Sequence, residues 1–506
     1  MILLDGRTLT LADLQAIADH LEPVALDRHA AEAVDASRAI VDAHAGGDAP
    51  VYGINTGFGS LAEVKIARNA LGDLQRNLLR SHAAGVDDPL PARAVRAMMA
   101  LRANVLAKGY SGIRRDTLER LIEMLNARVH PVVPSRGSVG ASGDLAPLAH
   151  LALVLIGEGQ ATVGDDPAVV DGRTALARAG IAAVELGAKE GLALINGTQA
   201  SAAIAALALL GAERLARATD IAAALSIDGL RGSWHPFEAR LHDPRPHPGQ
   251  RTSADNLLRL LQQSAINTSH ENCGRVQDAY SMRCAPQVHG AARGAFAASR
   301  ATIEIEVNAA TDNPMVFAAE GDIVSGGNFH GAPIAIAADV IVLGLLQLAT
   351  ISERRADRLV NPALSGLAPF LTRDSGLHSG YMMAQVTAAA LTSELKTLAH
   401  PASADTIPTS ANREDHVSMS MAAALKAERA VALARHVVAV ELLCAAQAID
   451  LLAPLTTSPP LARVHDTIRA HVPPLDRDRP PSPDIVAIDG LIQTGAIDHA
   501  HGVVVN

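Results

Sequence analysis

Apolar side chains recur at the three- and four-residue spacing of amphipathic helices along most of this 506-residue chain. An Ala-rich helix is predicted over residues 30–45, and helical spacing returns over residues 71–124 with an interruption at 85–91. Further long helices are predicted at residues 199–226, 253–264, 287–308, 333–359, 381–398 and 413–452. We therefore expect a mainly α fold, with a central bundle of long helices and a smaller, mixed N-terminal domain.

Two segments that interrupt the helical pattern contain candidate chemistry. Residues 51–59 include three glycines within seven positions, which lets the backbone approach another group closely. Residues 129–140 cannot be helical, and they lead into the tripeptide Ala141-Ser142-Gly143. A helix is predicted to follow to about residue 157, because Asp144 suits a helix N-terminus. The tripeptide is thus predicted to lie at the positive end of a helix.

The domain boundary is expected near residue 107. Residues 1–107 would form the N-terminal domain that carries Tyr52 and His82, and residues 108–506 would form the bundle that carries the tripeptide and the C-terminal helices. Within the second part, residues 160–185 are predicted to be a turn-rich surface excursion. The Pro-rich segment 473–483 is predicted to be an extended connection between two short helices.

Composition indicates which residues fill the core and which classes of partner are excluded. Hydrophobic residues make up 49% of the chain but aromatic residues only 2%, so Ala, Leu, Val and Ile must fill the interior. Small side chains let helices pack closely, as a bundle requires. The net charge of -10 offers no positive field for nucleic acid or anionic lipid, and neither is expected as a partner.

A cytoplasmic location without a membrane span is expected. The apolar stretch 200–212 is too short to cross a bilayer, and the stretch 332–351 contains Asp339 and Gln347, so both are predicted to be buried helices. The N-terminus lacks a secretory pattern. The three cysteines, an odd number without CxxC spacing, argue against a disulfide framework.

Common catalytic signatures are missing from the sequence. No phosphate loop or dinucleotide fingerprint is present. The segment around Ser142 fails as a nucleophile elbow, because Asp144 stands where glycine is required. A zinc site is disfavoured because its candidate ligands do not have the spacing of a compact zinc motif and are more simply explained by packing or substrate contact: His270, Cys273, Cys284 and His289.

The tripeptide itself can be the source of chemistry. The Gly143 nitrogen can attack the Ala141 carbonyl, and loss of two waters leaves Ser142 as an exocyclic methylidene on an imidazolone ring. Glycine supplies an unhindered nitrogen, and a positive helix end would stabilise negative charge on the ring oxygen. Taken alone, however, such a tripeptide is more often an ordinary helix start.

Several motifs that occur in order along the chain favour ring formation over an ordinary helix start. They are residues 52–59 (YGINTGFG), 137–150 (GSVGASGDLAPLAH), 196–199 (NGTQ), 277–284 (QDAYSMRC) and 325–330 (SGGNFH). In these motifs the chain resembles the aromatic amino acid ammonia-lyases over nearly its whole length. The resemblance implies an ammonia-lyase/fumarase-like helical fold and a methylidene-imidazolone formed from Ala141-Ser142-Gly143, with no external cofactor and no metal. It also implies a homotetramer whose active sites draw residues from several subunits.

The resemblance also implies roles for individual residues. Tyr52 would be the base that removes the β-proton, and Tyr280 would assist at the imidazolone. Arg283 would hold the substrate carboxylate as a bidentate partner. Hydrogen bonds to the ring oxygen or to the substrate carboxylate, and the shape of the pocket, would come from Asn196, Gln277 and Phe329.

Two positions bear on the substrate. The pair Ser81-His82 is similar to the branch of the family that acts on histidine, and Glu414 would leave a buried carboxylate unpaired unless the substrate ring carried an N–H. L-Histidine, giving trans-urocanate and ammonia, is therefore the expected substrate.

Two positions depart from the pattern of that branch. Arg413, where that branch often has Gln, could pair with Glu414. Leu395 replaces an expected Asn and is expected to affect packing alone. Alternatives are a tyrosine or phenylalanine ammonia-lyase, a related aminomutase, and an inactive helical scaffold.

Overall fold

The computed structural model describes residues 1–47, 49–57, 64–271 and 273–506. The chain forms two compact units, each assembled from separate stretches of sequence. Unit 1 comprises residues 1–207, 300–338 and 401–425, and unit 2 comprises residues 208–299, 339–400 and 426–506. A domain boundary at residue 107 stays a prediction.

Helices dominate the described residues, which confirms the mainly α fold. The first half contains α1 (Leu11–Asp19), α2 (Arg28–Ala45), α3 (Leu71–His82), α4 (Ala92–Ala107), α5 (Arg115–Asn126), α6 (Leu145–Leu155), α7 (Gly172–Arg178), α8 (Glu190–Ile195) and α9 (Gln199–Gly229). The second half contains α10 (Ala239–His242), α11 (Pro248–Leu261), α12 (Ala265–Thr268), α13 (Tyr280–Arg283), α14 (Ala285–Glu306), α15 (Ala332–Val360), α16 (Pro362–Ser365), α17 (Met382–Leu398), α18 (Ser420–Leu451), α19 (Pro459–Arg469), α20 (Ser482–Thr494) and α21 (Ala496–Ala500).

Short strands supply the mixed character of unit 1. They are β1 (Ile2–Leu4), β2 (Val24–Leu26), β3 (Val86–Pro89), β4 (Val129–Pro131), β5 (Pro134–Arg136), β6 (Gln160–Val163), β7 (Asp166–Asp171), β8 (Met315–Phe317) and β9 (Asp322–Val324). β1 and β2 pair in parallel; β3–β5, β4–β6–β7 and β8–β9 pair antiparallel. β5 lies shortly before the tripeptide in the chain, so its pairing with β3 holds the segment that leads into α6.

The core of unit 2 is a bundle in which small residues allow close helix contact. A Cβ added to Gly344 on α15 would lie 2.5 Å from the Phe296 ring on α14, and one added to Gly211 on α9 would lie 2.9 Å from Val431 on α18. Larger residues at these glycines would force the helices apart. This packing explains how a chain with so few aromatic residues fills a large interior.

Polar side chains cross the same bundle. Arg355 on α15 donates to both oxygens of Glu441 on α18, at 2.5 and 2.9 Å, and Ser226 on α9 donates to Glu441 at 2.7 Å. All three side chains are fully buried. Because each charge has a partner of opposite sign, the desolvation cost of burying them is offset.

Two stretches differ from the prediction. A helix starting at residue 413 is wrong: α18 begins at Ser420. Met419 has φ +58° and its N–H donates to the Val139 carbonyl at 2.8 Å, while Ser418 Oγ donates to Gly140 O at 2.8 Å. These bonds tie residues 418–419 to the segment before Ser142 and exclude helical geometry.

The second difference lies in residues 160–185, expected to be rich in turns. They form the β6–β7 hairpin followed by α7. Asp171 caps α7, since its side chain accepts from the Thr174 N–H at 3.0 Å. Part of the stretch predicted to be rich in turns is therefore a helix with Asp171 as its N-cap.

Two long helices are apolar enough to cross a bilayer by length and composition, α15 and α18. In their most apolar windows 67% and 83% of the residues, respectively, are buried inside the protein. They are buried core helices, as expected for residues 332–351.

Candidate active site

The Ala141-Ser142-Gly143 tripeptide lies immediately before α6, and Asp144 occupies the N-cap position of that helix. This is the position that the sequence predicted. Gly143 has φ +78°, and a Cβ there would lie 2.5 Å from the Gly197 nitrogen. Only glycine fits both the conformation and the space.

Backbone contacts hold both sides of the tripeptide. The Asp144 N–H donates to the Gly197 carbonyl at 2.7 Å, and Gly143 and Gly197 form an isolated parallel bridge. On the other side, Gly140 O accepts from Ser418 Oγ at 2.8 Å and from the Gly331 N–H at 3.1 Å. The tripeptide is therefore fixed by three stretches of chain that are far from it in sequence.

The Asp144 side chain anchors the same segment from inside. It is fully buried, and it accepts from Ser138 Oγ at 3.0 Å and from the N–H and Oγ of Ser201 at 2.7 and 2.8 Å. Burial raises the pKa of Asp144, although the Ser201 and Ser138 hydrogen bonds act in the opposite direction. A buried carboxyl with this many donors fixes the first turn of α6 against α9.

Asn196 contacts the central residue of the tripeptide. It is the C-cap residue of α8, and its Nδ2 donates to the Ser142 carbonyl oxygen at 2.9 Å. The other side-chain atom, Oδ1, is buried without a hydrogen-bond partner. The amide can therefore polarise the Ser142 carbonyl and has acceptor capacity left for a ligand.

A cavity of about 280 Å³ opens beside Ser142. Its lining contains seven of the eleven site residues predicted from the sequence. The lining residues are Tyr52, Leu78, His82, Ala141, Ser142, Leu145, Leu192, Ile195, Asn196, Asn313, Phe329, His330, Ser410, Arg413, Glu414, Asp415 and His416. All of these residues belong to unit 1. The structure thus brings Tyr52, His82, Asn196, Phe329 and Glu414 together around the tripeptide.

Glu414 lies directly against Ser142. Ser142 Oγ donates to Glu414 Oε1 at 2.6 Å, and Thr409 Oγ1 donates to Oε2 at 2.5 Å. An antiparallel bridge between Thr409 and Glu414 positions the loop. In the part of the chain that the structure describes, Arg413 forms no ion pair with this carboxylate, so the masking considered from the sequence does not occur here.

His82 ends α3 and is held in one tautomer. Its Nδ1 lies 2.9 Å from the Leu78 carbonyl oxygen, which can only accept, so Nδ1 carries the proton and Nε2 is the unprotonated nitrogen of the neutral ring. Burial lowers the pKa of His82, while the Leu78 bond and the charge of Glu414 act in the opposite direction. The imidazole is therefore predominantly neutral at neutral pH.

Tyr52 reaches the cavity from the turn that follows α2. The next residue, Gly53, has φ +75°, and a Cβ there would lie 2.7 Å from the Leu192 side chain. The glycine thus lets the turn pack against α8 and present Tyr52 beside the tripeptide. Phe58 and Gly59, the last residues of the predicted motif, lie outside the described residues.

Three further predicted site residues, Gln277, Tyr280 and Arg283, lie in unit 2. The Arg283 guanidinium stacks 4.6 Å from the centroid of the Tyr280 ring, and Arg283 donates to the Asp278 carbonyl at 3.0 Å and to Gln277 Oε1 at 3.1 Å. Tyr280 is 71% exposed. Gln277 and Arg283 line a cavity of about 740 Å³, so the structure groups these three residues with one another.

Several residues of the Ser142 cavity were not predicted from the sequence. His330 and His416 stack with centroids 5.7 Å apart, and His330 Nε2 lies 3.2 Å from the His416 carbonyl oxygen. Each adjoins or nearly adjoins a predicted residue, Phe329 or Glu414, which was a usable signal. Thr409 gave no such signal, because its role depends on a bridge between loop residues.

The four zinc candidates do not form a metal-binding arrangement in the described residues. His289 is buried with Nδ1 2.6 Å from Asp220 Oδ1, and Cys273 is exposed. Among the described residues no group of three or more His, Cys, Asp or Glu side chains is arranged to hold a metal ion. All three cysteines are free.

Comparison with known proteins places this site in a family. A family model described as aromatic amino acid lyase matches residues 9–470. The chain belongs to the aromatic amino acid lyase family, as its motifs indicated.

Individual relatives are similar over their full length. The chain is 55% identical over 496 residues to a histidine ammonia-lyase of Myxococcus xanthus. The aligned residues cover 98% of this chain and 97% of that relative. A crystal structure of histidine ammonia-lyase from Trypanosoma cruzi matches with a TM-score of 0.92 and 42% identity, covering 99% of this chain and 95% of that one. A tyrosine aminomutase from Streptomyces globisporus matches with a TM-score of 0.94 and 37% identity over 100% of both chains. The fold is thus shared by proteins with different reactions, and the reaction must be argued from the site.

Proposed function

We propose that this protein eliminates ammonia from L-histidine and releases trans-urocanate. The proposal rests on one observation: Glu414, His82 and Tyr52 line the same cavity beside the tripeptide. In that cavity Glu414 accepts a hydrogen bond from Ser142 at 2.6 Å. The full-length similarity to histidine ammonia-lyases supports the same substrate.

The tripeptide fits the methylidene-imidazolone of the family. Gly143 occupies a position that no side chain could share, and its backbone is held against Gly197. Ser142 reaches the cavity, where an electrophilic carbon derived from it would meet a substrate. When formed, the group supplies an electrophile that activates the amine as a leaving group. Residues of this chain alone build it, so no external cofactor is required.

Asn196 would hold the oxygen of that group. The Ala141 oxygen is lost in cyclisation, whereas the Ser142 oxygen remains, and this is the atom to which Asn196 Nδ2 donates at 2.9 Å. A fixed donor at this oxygen stabilises negative charge that develops there.

Glu414 would recognise the imidazole. Cyclisation removes the Ser142 hydroxyl as water, so Glu414 Oε1 loses the donor it has in the unmodified chain. An imidazole N–H of the substrate can replace that donor, whereas a phenyl ring cannot, and a carboxylate left without its donor is costly. The pair of Glu414 and neutral His82 therefore favours histidine over phenylalanine.

Tyr52 would remove the β-proton, since it is the phenol that lines the cavity beside Ser142. Phe329 would pack against the substrate from the wall of the same cavity. These two side chains thus supply the base and the apolar contact that an aromatic amino acid requires.

The carboxylate of the substrate still requires a cation. Arg283, stacked on Tyr280 and joined to Gln277, presents a guanidinium on a largely exposed tyrosine. We assign these three residues to the active site of a neighbouring subunit in a homotetramer, because the resemblance to the family implies active sites that draw residues from several subunits. A cytoplasmic location fits free cysteines and buried core helices.

Product analysis tests the proposal. The purified protein is incubated with L-histidine, L-tyrosine or L-phenylalanine, and products are followed by proton NMR together with released ammonia. We expect urocanate and equimolar ammonia from histidine alone. Cinnamate or coumarate would move the substrate to phenylalanine or tyrosine, and a β-amino acid without ammonia would identify an aminomutase.

A further inference from the structure

Arg102 on α4 reaches the turn that holds the tripeptide. It is fully buried, and its Nη1 donates to the Asn196 carbonyl and to Gln199 Oε1, both at 2.9 Å. A Cβ at Gly197 would lie 2.9 Å from the same nitrogen and 2.7 Å from Thr311 Oγ1. One guanidinium nitrogen therefore ties together both ends of the turn formed by residues 196–199.

The same turn contacts the tripeptide at two points. Asn196 Nδ2 donates to the Ser142 carbonyl oxygen at 2.9 Å, and the Gly197 carbonyl accepts from the Asp144 N–H at 2.7 Å. Asn196 Oδ1 is buried without a hydrogen-bond partner, so no second side-chain contact fixes the direction of the amide. That direction depends on the backbone of the turn, which Arg102 holds.

We propose that Arg102 is a positioning residue for formation of the imidazolone ring, an inference that rests on the proposed function and deepens it. The net reaction needs no oxidant or co-reactant. The Gly143 nitrogen bonds to the Ala141 carbonyl carbon, and the Ala141 oxygen leaves as water with one hydrogen each from the Gly143 and Ser142 nitrogens. Ser142 then loses its Cα hydrogen and its hydroxyl as a second water, which creates the exocyclic double bond.

The geometry explains why the turn matters for both losses of water. The Ser142 Cα hydrogen is adjacent to the Ser142 carbonyl, so a donor at that oxygen stabilises the charge left when the proton leaves. Ring closure also requires the Gly143 nitrogen to be aimed at the Ala141 carbon, and the bridge to Gly197 sets that backbone. Small displacements of reacting groups lower rates strongly.

The charge of Arg102 is kept despite burial. Burial lowers the pKa of Arg102 to about 10, with the charge of Asp312 acting in the opposite direction. The guanidinium is therefore protonated at neutral pH, and all its N–H donors are present while the chain folds and matures. Lysine at this position would keep the charge but lose the rigid planar group that aims Nη1 at both acceptors.

Arg96 offers a matched control on the same helix. It is 2% exposed, and its Nε and Nη1 donate to the carbonyls of Ile17 and Leu125, both at 2.9 Å. Neither acceptor touches the Ser142 cavity. Replacing Arg96 by lysine therefore imposes a comparable loss of buried hydrogen bonds without disturbing the turn of residues 196–199.

The test follows ring formation in the full-length chain by intact mass after cell-free synthesis, with melting temperature measured on the same samples. We expect Arg102→Lys to lose the two waters at least about tenfold more slowly than the unsubstituted chain, while Arg96→Lys stays within about twofold of it. Equal rates for Arg102→Lys and the unsubstituted chain, or equal slowing in both lysine variants, would overturn the role of Arg102.

A second variant covers the case in which Arg102→Lys does not fold. Gln199→Leu removes one of the two acceptors of Arg102 and leaves the guanidinium in place, and we expect about threefold slower loss of water. An unchanged rate in Gln199→Leu would then overturn the proposal. A chain without substitutions that keeps its full mass would instead overturn the proposed function, which separates the two failures.

Discussion

The Ser142 hydroxyl and the Glu414 carboxylate are joined by a 2.6 Å hydrogen bond across 272 positions of sequence. The contact places an ionisable oxygen directly at the atom that cyclisation removes. It therefore links maturation of the chain to substrate recognition: the donor that Glu414 loses when the ring forms is the donor that an imidazole substrate supplies.

Replacing Glu414 by glutamine tests this link. We expect Glu414→Gln to lower kcat/KM for L-histidine by about 10- to 100-fold, the range that corresponds to the loss of a hydrogen bond to a charged group of about 1.5–3 kcal/mol. Steady-state kinetics on protein with a verified intact mass gives the measurement.

The neighbouring residue supplies the control for that experiment. Arg413 lines the same cavity without forming an ion pair to Glu414 in the described part of the chain. Arg413→Gln is expected to keep kcat/KM within about threefold. A larger loss in Arg413→Gln than in Glu414→Gln would mean that the arginine, and not the carboxylate, selects the substrate.

Tyr52→Phe removes the phenolic hydroxyl and keeps the ring. If Tyr52 is the base, turnover of L-histidine falls by about 10²–10⁴-fold, the usual contribution of general base catalysis. Ring formation should proceed as before, because Asn196, Gly197 and Ser418 hold the tripeptide and its flanking residues in place. Turnover within tenfold of the unsubstituted enzyme, at full ring content, would assign the base to another residue.

Mixed oligomers test whether active sites are shared between subunits. Ser142→Ala and Tyr280→Phe are each expected to be nearly inactive alone. Because the two residues are assigned to different chains of one site, co-expression with two affinity tags should yield hetero-oligomers that regain activity. Hetero-oligomers as inactive as the parent variants would place Ser142 and Tyr280 in the same chain's site or show that the subunits do not complement.

Two buried aspartates, Asp228 and Asp220, are expected to change the free energy of unfolding with pH in opposite directions. Burial raises the pKa of Asp228 to about 6, although the Thr457 and Ser264 hydroxyls act against it. The folded chain therefore keeps a proton between about pH 4 and 6 that the unfolded chain releases, and stability falls as pH rises through that window. Asp228→Asn should raise stability at pH 7.5 by up to about 3 kcal/mol and have little effect at pH 4.

Asp220 is the matched control for that experiment. Burial opposes its ionisation, but Arg293 and His289 outweigh that effect and hold the pKa of Asp220 at about 2. Its contribution to stability is present above about pH 4 and is lost as pH falls toward 2, so Asp220→Asn should lower the melting temperature at pH 7.5. Calorimetry at both pH values compares the two variants; a shift of the same sign in both would contradict the assignment.

The spacing of apolar residues in the sequence was sufficient to predict the positions of most of the long helices. α9, α14, α15 and α17 begin and end within three residues of their predicted positions, because long apolar stripes at helical spacing leave few alternatives. The start of α18 was misplaced since residues 413–419 have a helix-compatible composition. Their real conformation is set by contacts with Val139 and Gly140 that have no local signature.

For the site, too, some residues could be predicted from the sequence and others could not. The tripeptide at a helix N-terminus could be predicted from Asp144 and the glycines, and the resemblance to a family supplied the remaining candidates. Arg102 and Thr409 could not be predicted: the first acts through the backbone carbonyl of Asn196, and the second through a bridge between loop residues. Such contacts depend on tertiary structure and leave no pattern of spacing in the chain.

Absorbance after mixing with L-histidine tests whether this protein eliminates ammonia from histidine through Ser142. The purified protein and its Ser142→Ala variant are each mixed with L-histidine while the absorbance of the conjugated product is followed. We expect a steady rise for the unsubstituted protein and none for Ser142→Ala. No rise from protein whose mass shows the loss of two waters would contradict histidine as the substrate, and an equal rise in both proteins would contradict the role of Ser142.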